Sequence, residues 1–311
     1  MSNAAPAPDE RTLGEHLSAG LEKITVGTSP LGKRPERGEL LADAILAGPF
    51  RQIDTANNYA AGESERLLGA AISRLGGLPD SKVVFSKVDA DPVTGVFDAD
   101  RVRRSFDESR ERLGLDTLPL LHFHDPYTIT VAQAMAPAGP VETLARLRDE
   151  GAVGAIGIAA GKRSLMEEYV RTDAFDAVLN HNRWTLVDRS ADTLWNLATE
   201  RRMAVFNAAP FGGGILAGST TRGPKYAYSE ASGELLAFID RMQGLAGEWQ
   251  IELAAAAVQF SMGDPRIHST VVGMSSIARL ESLPGLMTAE IPEGFWEAFR
   301  GLGTPPASPA A

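Results

Sequence analysis

Short apolar runs alternate with longer amphipathic ones along most of the chain. "KITVGTS" precedes "ERGELLADAILAG", "FRQIDTA" precedes "ESERLLGAAISRLGG", and "KVVFSKVD" precedes "DADRVRRSFDESRERLG". The pattern continues through "LPLLHFHDP" with "VETLARLRDEG", "AIGIAA" with "RSLMEEYVR", and "DAVLNHNRWTL" with "ADTLWNLATERR". It closes with "AVFNAAP" before "GELLAFIDRMQGLAG" and "IELAAAAVQFSM", and with "STVVGMSS" before "IARLESL". The short runs are β-branched and apolar on both alternating faces, as parallel strands covered on two sides must be. The longer runs place apolar residues three and four apart with Arg and Glu between them, the stripe of a helix packed on one face. Strand then helix, eight times over, predicts an α/β fold of the (β/α)8 TIM-barrel type as one domain over residues 21–303. A doubly wound sheet would place G-x-G-x-x-G after the first strand, and "VGTSPLG" does not supply it. Residues 1–20 and the Pro/Ala-rich end 304–311 read as disordered flanks.

Barrel chemistry gathers at the C-terminal strand ends. Read in order, those ends carry Gly27 and Thr28, Asp54 and Tyr59, Lys87, His124, Asn182 and the loop after Pro210. A carboxylate beside a barrel core is costly unless a cation meets it. Lys87 is the one lysine in this series, so it is the expected partner of Asp54. Phe85 and Lys87 should share a face that Ser86 does not. An ammonium near Tyr59 would stabilise its phenolate and lower its pKa, and a histidine alongside would orient a carbonyl oxygen or share its proton. His122, two residues before His124, reads as a satisfied interior histidine. Glu63 and Glu65 read as a solvated helix start favoured by the helix dipole.

Composition narrows the field without deciding it. A net charge of −10 argues against nucleic-acid or anionic-membrane partners. No stretch has the roughly 18 apolar residues of a membrane span, and the polar start lacks a leader-like core, so the expected location is cytoplasmic. The absence of cysteine excludes disulfides and thiol chemistry. No His/Asp/Glu trio has metal-ligand spacing. Oligomeric state is not legible.

The strand-end residues lie in stretches that resemble the aldo-keto reductase family. "DTANNYAAGESE" resembles D-T-A-x-x-Y-G-x-G-x-S-E, with Ala60 in place of the first glycine. "LGLDTLPLLHFHDP" resembles L-G-x-D-Y-x-D-L-Y-x-x-H-x-P, which puts the family histidine on His124. "AIGIAA" stands where the family has A-I-G-V-S-N, and "VVGMSSIARLES" where it has its last phosphate-binding loop. "RWTLVDRSA" and "PFGGGIL" look most like the aldose- and pyridoxal-oxidising branch. The resemblance implies a catalytic tetrad of Asp54, Tyr59, Lys87 and His124. It also implies an NAD(P)-dependent oxidoreductase that interconverts an aldehyde, ketone or aldose with its alcohol.

The same resemblance implies cofactor contacts from Gly27, Thr28, Asp54, Asn182, Pro210, Phe211, Gly212, Gly213, Gly214, Leu216, Gly273, Ser275 and Arg279. Several positions depart from the family. Its Ser-Asn pair for the nicotinamide carboxamide is Ala159-Ala160 here, leaving that task to Asn182 or His181. Its stacking tyrosine aligns with Ala208, a gap for Phe211 or Trp184 to fill. Its phosphate lysine aligns with Gly273, and its adenine-side asparagine with Leu283. Arg279 remains as a bidentate phosphate partner, which favours NADP(H) over NAD(H). Two other readings stay open: a non-catalytic sensor that keeps the cofactor, and a Schiff-base lyase built on Lys87.

Overall fold

The computed structural model describes residues 12–33, 35–218 and 223–309. Eight parallel strands close into a barrel: β1 Ile24–Gly27, β2 Gln52–Asp54, β3 Val83–Val88, β4 Leu118–His124, β5 Val153–Ala159, β6 Ala177–His181, β7 Ala204–Ala208 and β10 Ser269–Gly273. Two short strands, β8 Lys225–Tyr226 and β9 Ser229–Glu230, form a hairpin outside it. The barrel order is β1-β10-β7-β6-β5-β4-β3-β2, so the eightfold sequence period becomes a closed parallel (β/α)8 barrel.

The pleat sorts the strand residues into two cores. Phe85, Leu120, Ala155, Leu179, Phe206 and Val271 fill the barrel interior, where Phe85 of β3 meets Phe206 of β7 edge to face, with ring centroids 5.9 Å apart. Val84, Val88, Leu121, Phe123, Ile156 and Ile158 face outward against the helices. Ser86 also faces outward, and its hydroxyl donates to Glu65 at 2.6 Å. Lys87 shares the inward face with Phe85, as alternation requires.

Glu65 overturns the solvated reading of its helix, Glu63–Arg74. It is fully buried, receives Ser86 and the Arg112 guanidinium at 3.2 Å, and is raised from the ordinary carboxyl range by burial. The helix Ala99–Leu113 comes so close at Gly69 that an added Cβ would lie 1.8 Å from the Arg112 carbonyl oxygen.

Both flanks are more ordered than the sequence suggests. Leu13–Ala19 is a helix started by a capping box, Thr12 accepting from the Glu15 N–H while Glu15 accepts from the Thr12 N–H. Its Leu17, with Leu21 just beyond, packs on the base of the barrel interior. At the other end Ser308 is buried and its hydroxyl donates to Asp188. Residues 1–11 and 310–311 lie outside the described residues. Among the described residues no helix is long and apolar enough to cross a membrane.

Candidate active site at the barrel mouth

Asp54 ends β2 and Lys87 lies one residue from the end of β3, and the two strands pair with Asp54 opposite Phe85. That register brings the Lys87 ammonium 2.8 and 2.7 Å from the two Asp54 oxygens and 2.6 Å from the Thr55 carbonyl. Lys87 is fully buried and Asp54 nearly so. The pair expected from sequence is made, and three oxygens take the three ammonium protons.

Tyr59 sits on the loop that leaves β2. The loop lies along the end of β3 through Thr55 N–H to Phe85 O at 2.9 Å and Asn57 N–H to Lys87 O at 3.1 Å. Ala60, Ala61 and Gly62 follow with φ of 51°, 55° and 86°, so two alanines occupy left-handed backbone that glycine adopts more cheaply. The Lys87 ammonium lies 4.6 Å from the centre of the Tyr59 ring, and the His124 ring stands edge-on to it at 5.8 Å. Asp54, Tyr59, Lys87 and His124 are therefore one cluster.

The electrostatics of Tyr59 correct the sequence expectation. Burial pushes the phenol well above its ordinary pKa, and Asp54, Asp89, Tyr228 and Asp125 push the same way. The Lys87 ammonium reaches Tyr59 together with its partner carboxylate, and Asp54 adds to burial in raising the phenol. Tyr59 is a neutral phenol.

His124 contacts a residue that the sequence reading passed over. Asp89 is buried and its Oδ1 lies 2.7 Å from His124 Nδ1. Burial alone would depress the imidazole, but Asp89 and, more weakly, Asp125 outweigh it and leave His124 above its ordinary value, against opposition from Lys87. The signal for Asp89 was present, since residues 85, 87 and 89 share one face of an extended strand. His122 lies deeper in the interior, as expected, but it is not satisfied. Among the described residues neither ring nitrogen has a hydrogen-bond partner, and burial pushes its pKa well down, so it is neutral. Gly157 of β5 makes room for it, since a Cβ there would lie 2.3 Å from His122 Nδ1.

The remaining predicted positions divide. Thr28 and Leu216 face inward: Thr28 is fully buried with its hydroxyl on the Asp54 carbonyl at 3.0 Å, and Leu216 packs in a second core beneath the hairpin. Both side chains are fully buried. Gly27 lies in close packing, where a Cβ would meet Val271 at 3.1 Å. Beyond β7 and Pro210, Phe211 packs half-buried between the outer and second cores. Gly212 lies over the Tyr226 ring, and Gly213 and Gly214 have φ of 79° and 110°. Gly273, Ser275 and Arg279 surround the start of the helix Ile277–Thr288, capped by Ser276; exposed Arg279 donates to Ser275 at 3.2 Å. Leu283 and Trp184 are buried in the core between barrel and helices.

At the end of β6, Asn182 is 2% exposed and has a left-handed φ of 60°. Its amide nitrogen lies 3.0 Å from His181 Nδ1, while its Oδ1 is buried without a partner among the described residues. Burial pushes His181 down to about 4, and exposed Tyr228 from the hairpin stands edge-on to it at 5.7 Å. Hairpin and mouth are tied together by the Tyr226 hydroxyl, which donates to the Asn182 carbonyl at 2.8 Å. No local pattern in "KYAYSE" pointed to this contact.

The donor set fits a nicotinamide dinucleotide. Asn182 Oδ1 is an orphaned acceptor suited to a carboxamide N–H. The glycine segment offers backbone to phosphate, and a helix start with Arg279 and Ser275 suits an anion.

The fold is a closed parallel barrel whose mouth carries an ion-paired lysine beneath a tyrosine, with a histidine edge-on to the same ring. Residues 23–303 match the model of the aldo/keto reductase family, and the chain belongs to that family; it is an NAD(P)-dependent oxidoreductase. It is similar to a D-threo-aldose 1-dehydrogenase of a Pseudomonas species, 32% identical over 82% of this chain and 84% of that protein. It is also similar to a pyridoxal 4-dehydrogenase of Microbacterium luteolum, 28% identical over 96% of this chain and 98% of that one. An L-galactose dehydrogenase of Arabidopsis thaliana is 28% identical over 87% of this chain and 85% of its own. The fold matches a holo-form aldo-keto reductase of Bacillus halodurans with a TM-score of 0.76 at 17% identity, over 93% and 94% of the two chains.

Proposed function

We propose that the mouth oxidises a hydroxyl-bearing small molecule, an aldose or a pyridoxal-like alcohol or hemiacetal, and reduces the corresponding carbonyl in reverse. The observation that carries this reading is the buried Lys87–Asp54 pair lying beneath Tyr59 with His124 edge-on to the same ring. The dehydrogenase names of the relatives support the substrate class.

Tyr59 is the acid/base residue. As a neutral phenol it donates to the substrate oxygen, which is the form carbonyl reduction needs. Lys87, held by Asp54, fixes positive charge under the ring, and His124 orients the oxygen. A bound nicotinamide supplies or takes the hydride. Asn182 would hold the carboxamide; Gly27, the backbone around Pro210–Gly214, Gly273, Ser275 and Arg279 would hold the dinucleotide. Exposed Arg279 at a helix start supports NADP(H) as the preferred form.

Lys87 offers little to a Schiff-base reaction, because its ammonium is enclosed and committed to three oxygens.

The test is a screen of aldoses, pyridoxal and simple aldehydes with both cofactors, followed at the nicotinamide absorbance. Tyr59→Phe should lower turnover on the best substrate by roughly two to four orders of magnitude, the usual range for a general acid. Cofactor affinity should stay near that of the parent. Near-normal turnover of Tyr59→Phe would sink the assignment.

A further inference from the structure

Tyr59 is placed by its backbone. The contacts on its ring, the Lys87 ammonium and the edge of His124, are not directional hydrogen bonds. The loop between β2 and the helix Glu63–Arg74 therefore decides where the hydroxyl stands. Within it Ala60 and Ala61 are held in left-handed backbone, which alanine adopts only at a cost. The ends of the loop are joined by hydroxyls, Ser64 Oγ lying 3.0 Å from Thr55 Oγ1 and 2.8 Å from Thr28 Oγ1. The stretch between them needs its own support.

The helix Ala99–Leu113 supplies it. Arg101, Ser105, Glu108 and Arg112 recur every three or four residues, so they form a polar stripe on one helix face. The stripe meets Asn57, which lies two residues before Tyr59 and is 4% exposed. Asn57 Nδ2 donates to the Ser105 carbonyl and to Glu108 Oε2, each at 3.0 Å, and its Oδ1 receives Arg101 Nη2 at 2.9 Å. Its backbone carbonyl receives Arg112 Nη1 at 2.8 Å, while its N–H donates to the Lys87 carbonyl at 3.1 Å. Arg101 is buried too, and its other nitrogens donate to Glu108 Oε1 at 2.8 Å and the Asp89 carbonyl at 2.9 Å.

Arg112 supports the far end of the loop. A Cβ on Gly62 would lie 2.6 Å from its Cζ, and its Nη1 also reaches buried Glu65 at 3.2 Å. The planar fork of a guanidinium suits a group that must lie flat under a backbone and still reach two oxygens. Backbone and side chain of Asn57 are thus tied to β3 on one side and to two arginines of an outer helix on the other.

We propose that Asn57, Arg101 and Arg112 are positioning residues, a clasp that fixes the Tyr59 hydroxyl above Lys87 from the helix layer outside the barrel. The proposal rests on the oxidoreductase reading and extends it to residues that touch neither substrate nor cofactor. The dinucleotide contacts named above lie on other loops. Opening the clasp should therefore displace Tyr59 and leave cofactor binding in place.

The experiment reads the tyrosine itself. In protein carrying meta-fluorotyrosine, the Tyr59 fluorine resonance is assigned from Tyr59→Phe and recorded without cofactor or turnover. In Arg112→Ala that line should shift or broaden, and it should return toward the parent on adding guanidinium chloride at millimolar, non-denaturing concentration. On the best substrate kcat should fall roughly ten- to a hundredfold, the scale of a displacement of about 1 Å, and recover with the same guanidinium. Cofactor Kd should stay near that of the parent. Arg112→Lys should remain impaired, because an ammonium lacks the planar fork. Arg103→Ala, on the same helix but paired with Glu150, is the control and should match the parent in both readings. A Tyr59 resonance or a kcat unchanged in Arg112→Ala would overturn the proposal. Should Arg112→Ala not fold, Arg112→Lys decides by the same two readings. A parent with no turnover on any substrate would sink the oxidoreductase reading instead, while the fluorine spectrum still shows whether the clasp holds Tyr59.

Discussion

Lys87 shows at a single residue how much the barrel interior asks of a charge. Its ammonium has no solvent exposure and three oxygens around it, two of them from Asp54. Replacing it by methionine leaves a buried carboxylate without its cation, a change that typically costs about 3–5 kcal/mol. The double variant Lys87→Met/Asp54→Asn should recover a large part of that loss, since no buried anion remains. Urea unfolding of the three proteins measures this; if Lys87→Met is as stable as the parent, Asp54 is solvated in solution and the pairing is not structural. Activity should fall in both variants, because the charge beneath Tyr59 is lost in each.

At the scale of an element, the start of the helix Ile277–Thr288 is where the proposed cofactor preference can be tested. Ser276 caps it, and Arg279 reaches back to Ser275 at the same end. The positive end of the helix dipole and a guanidinium both favour an anion there. Arg279→Ala should weaken NADP(H) by about ten- to a hundredfold or more, the range of a charge-assisted contact worth roughly 1.5–3 kcal/mol, and barely move NAD(H). Fluorescence titration of both cofactors against parent and variant reads the ratio. Equal weakening would mean that Arg279 steadies the loop and does not select the phosphate. The glycine segment after β7 is an element of another kind: Gly213 and Gly214 adopt φ values that side chains disfavour, and Gly212 lies on Tyr226 of the hairpin, so the loop is shaped from beneath.

For the whole molecule, buried histidines set the response to acid. Burial lowers the pKa of His122, His181 and His268, with His181 at about 4. Between that level and the unfolded value near 6.5 the unfolded chain binds more protons than the native one, so stability falls as pH falls below about 6.5. His124 and Glu65 act in the opposite sense, since their native values are raised. The His124 contribution is complete below about 6.5 and is lost as pH rises through its native pKa. Below about pH 6.5 the three lowered histidines therefore predict a loss of stability, with Glu65 acting against it only nearer the carboxyl range. Because one proton linked to folding changes stability by up to about 1.4 kcal/mol per pH unit, His122→Leu should flatten the slope. Denaturant midpoints at half-unit pH steps test it, and identical slopes in parent and variant would remove His122 from the account.

The sequence by itself determined the eight strand–helix units, the inward face shared by Phe85 and Lys87, and the arrival of Asp54, Tyr59, Lys87 and His124 at one end of the barrel. These follow from local periodicity and from the rule that alternate strand residues share a face, and both can be read along the chain. Family resemblance then pointed to the chemistry. Asp89 was within reach of the same parity argument, but its partnership with His124 needed the pairing of β3 with β4. Only the tertiary structure decided that Tyr59 is held protonated although an ammonium lies against its ring, that Glu65 is buried, that Thr28 and Leu216 turn inward, and that a hairpin far along the chain leans over His181. Each of these depends on how much water is removed and which charges meet across the barrel, and desolvation and distance between strands are properties that no single segment carries.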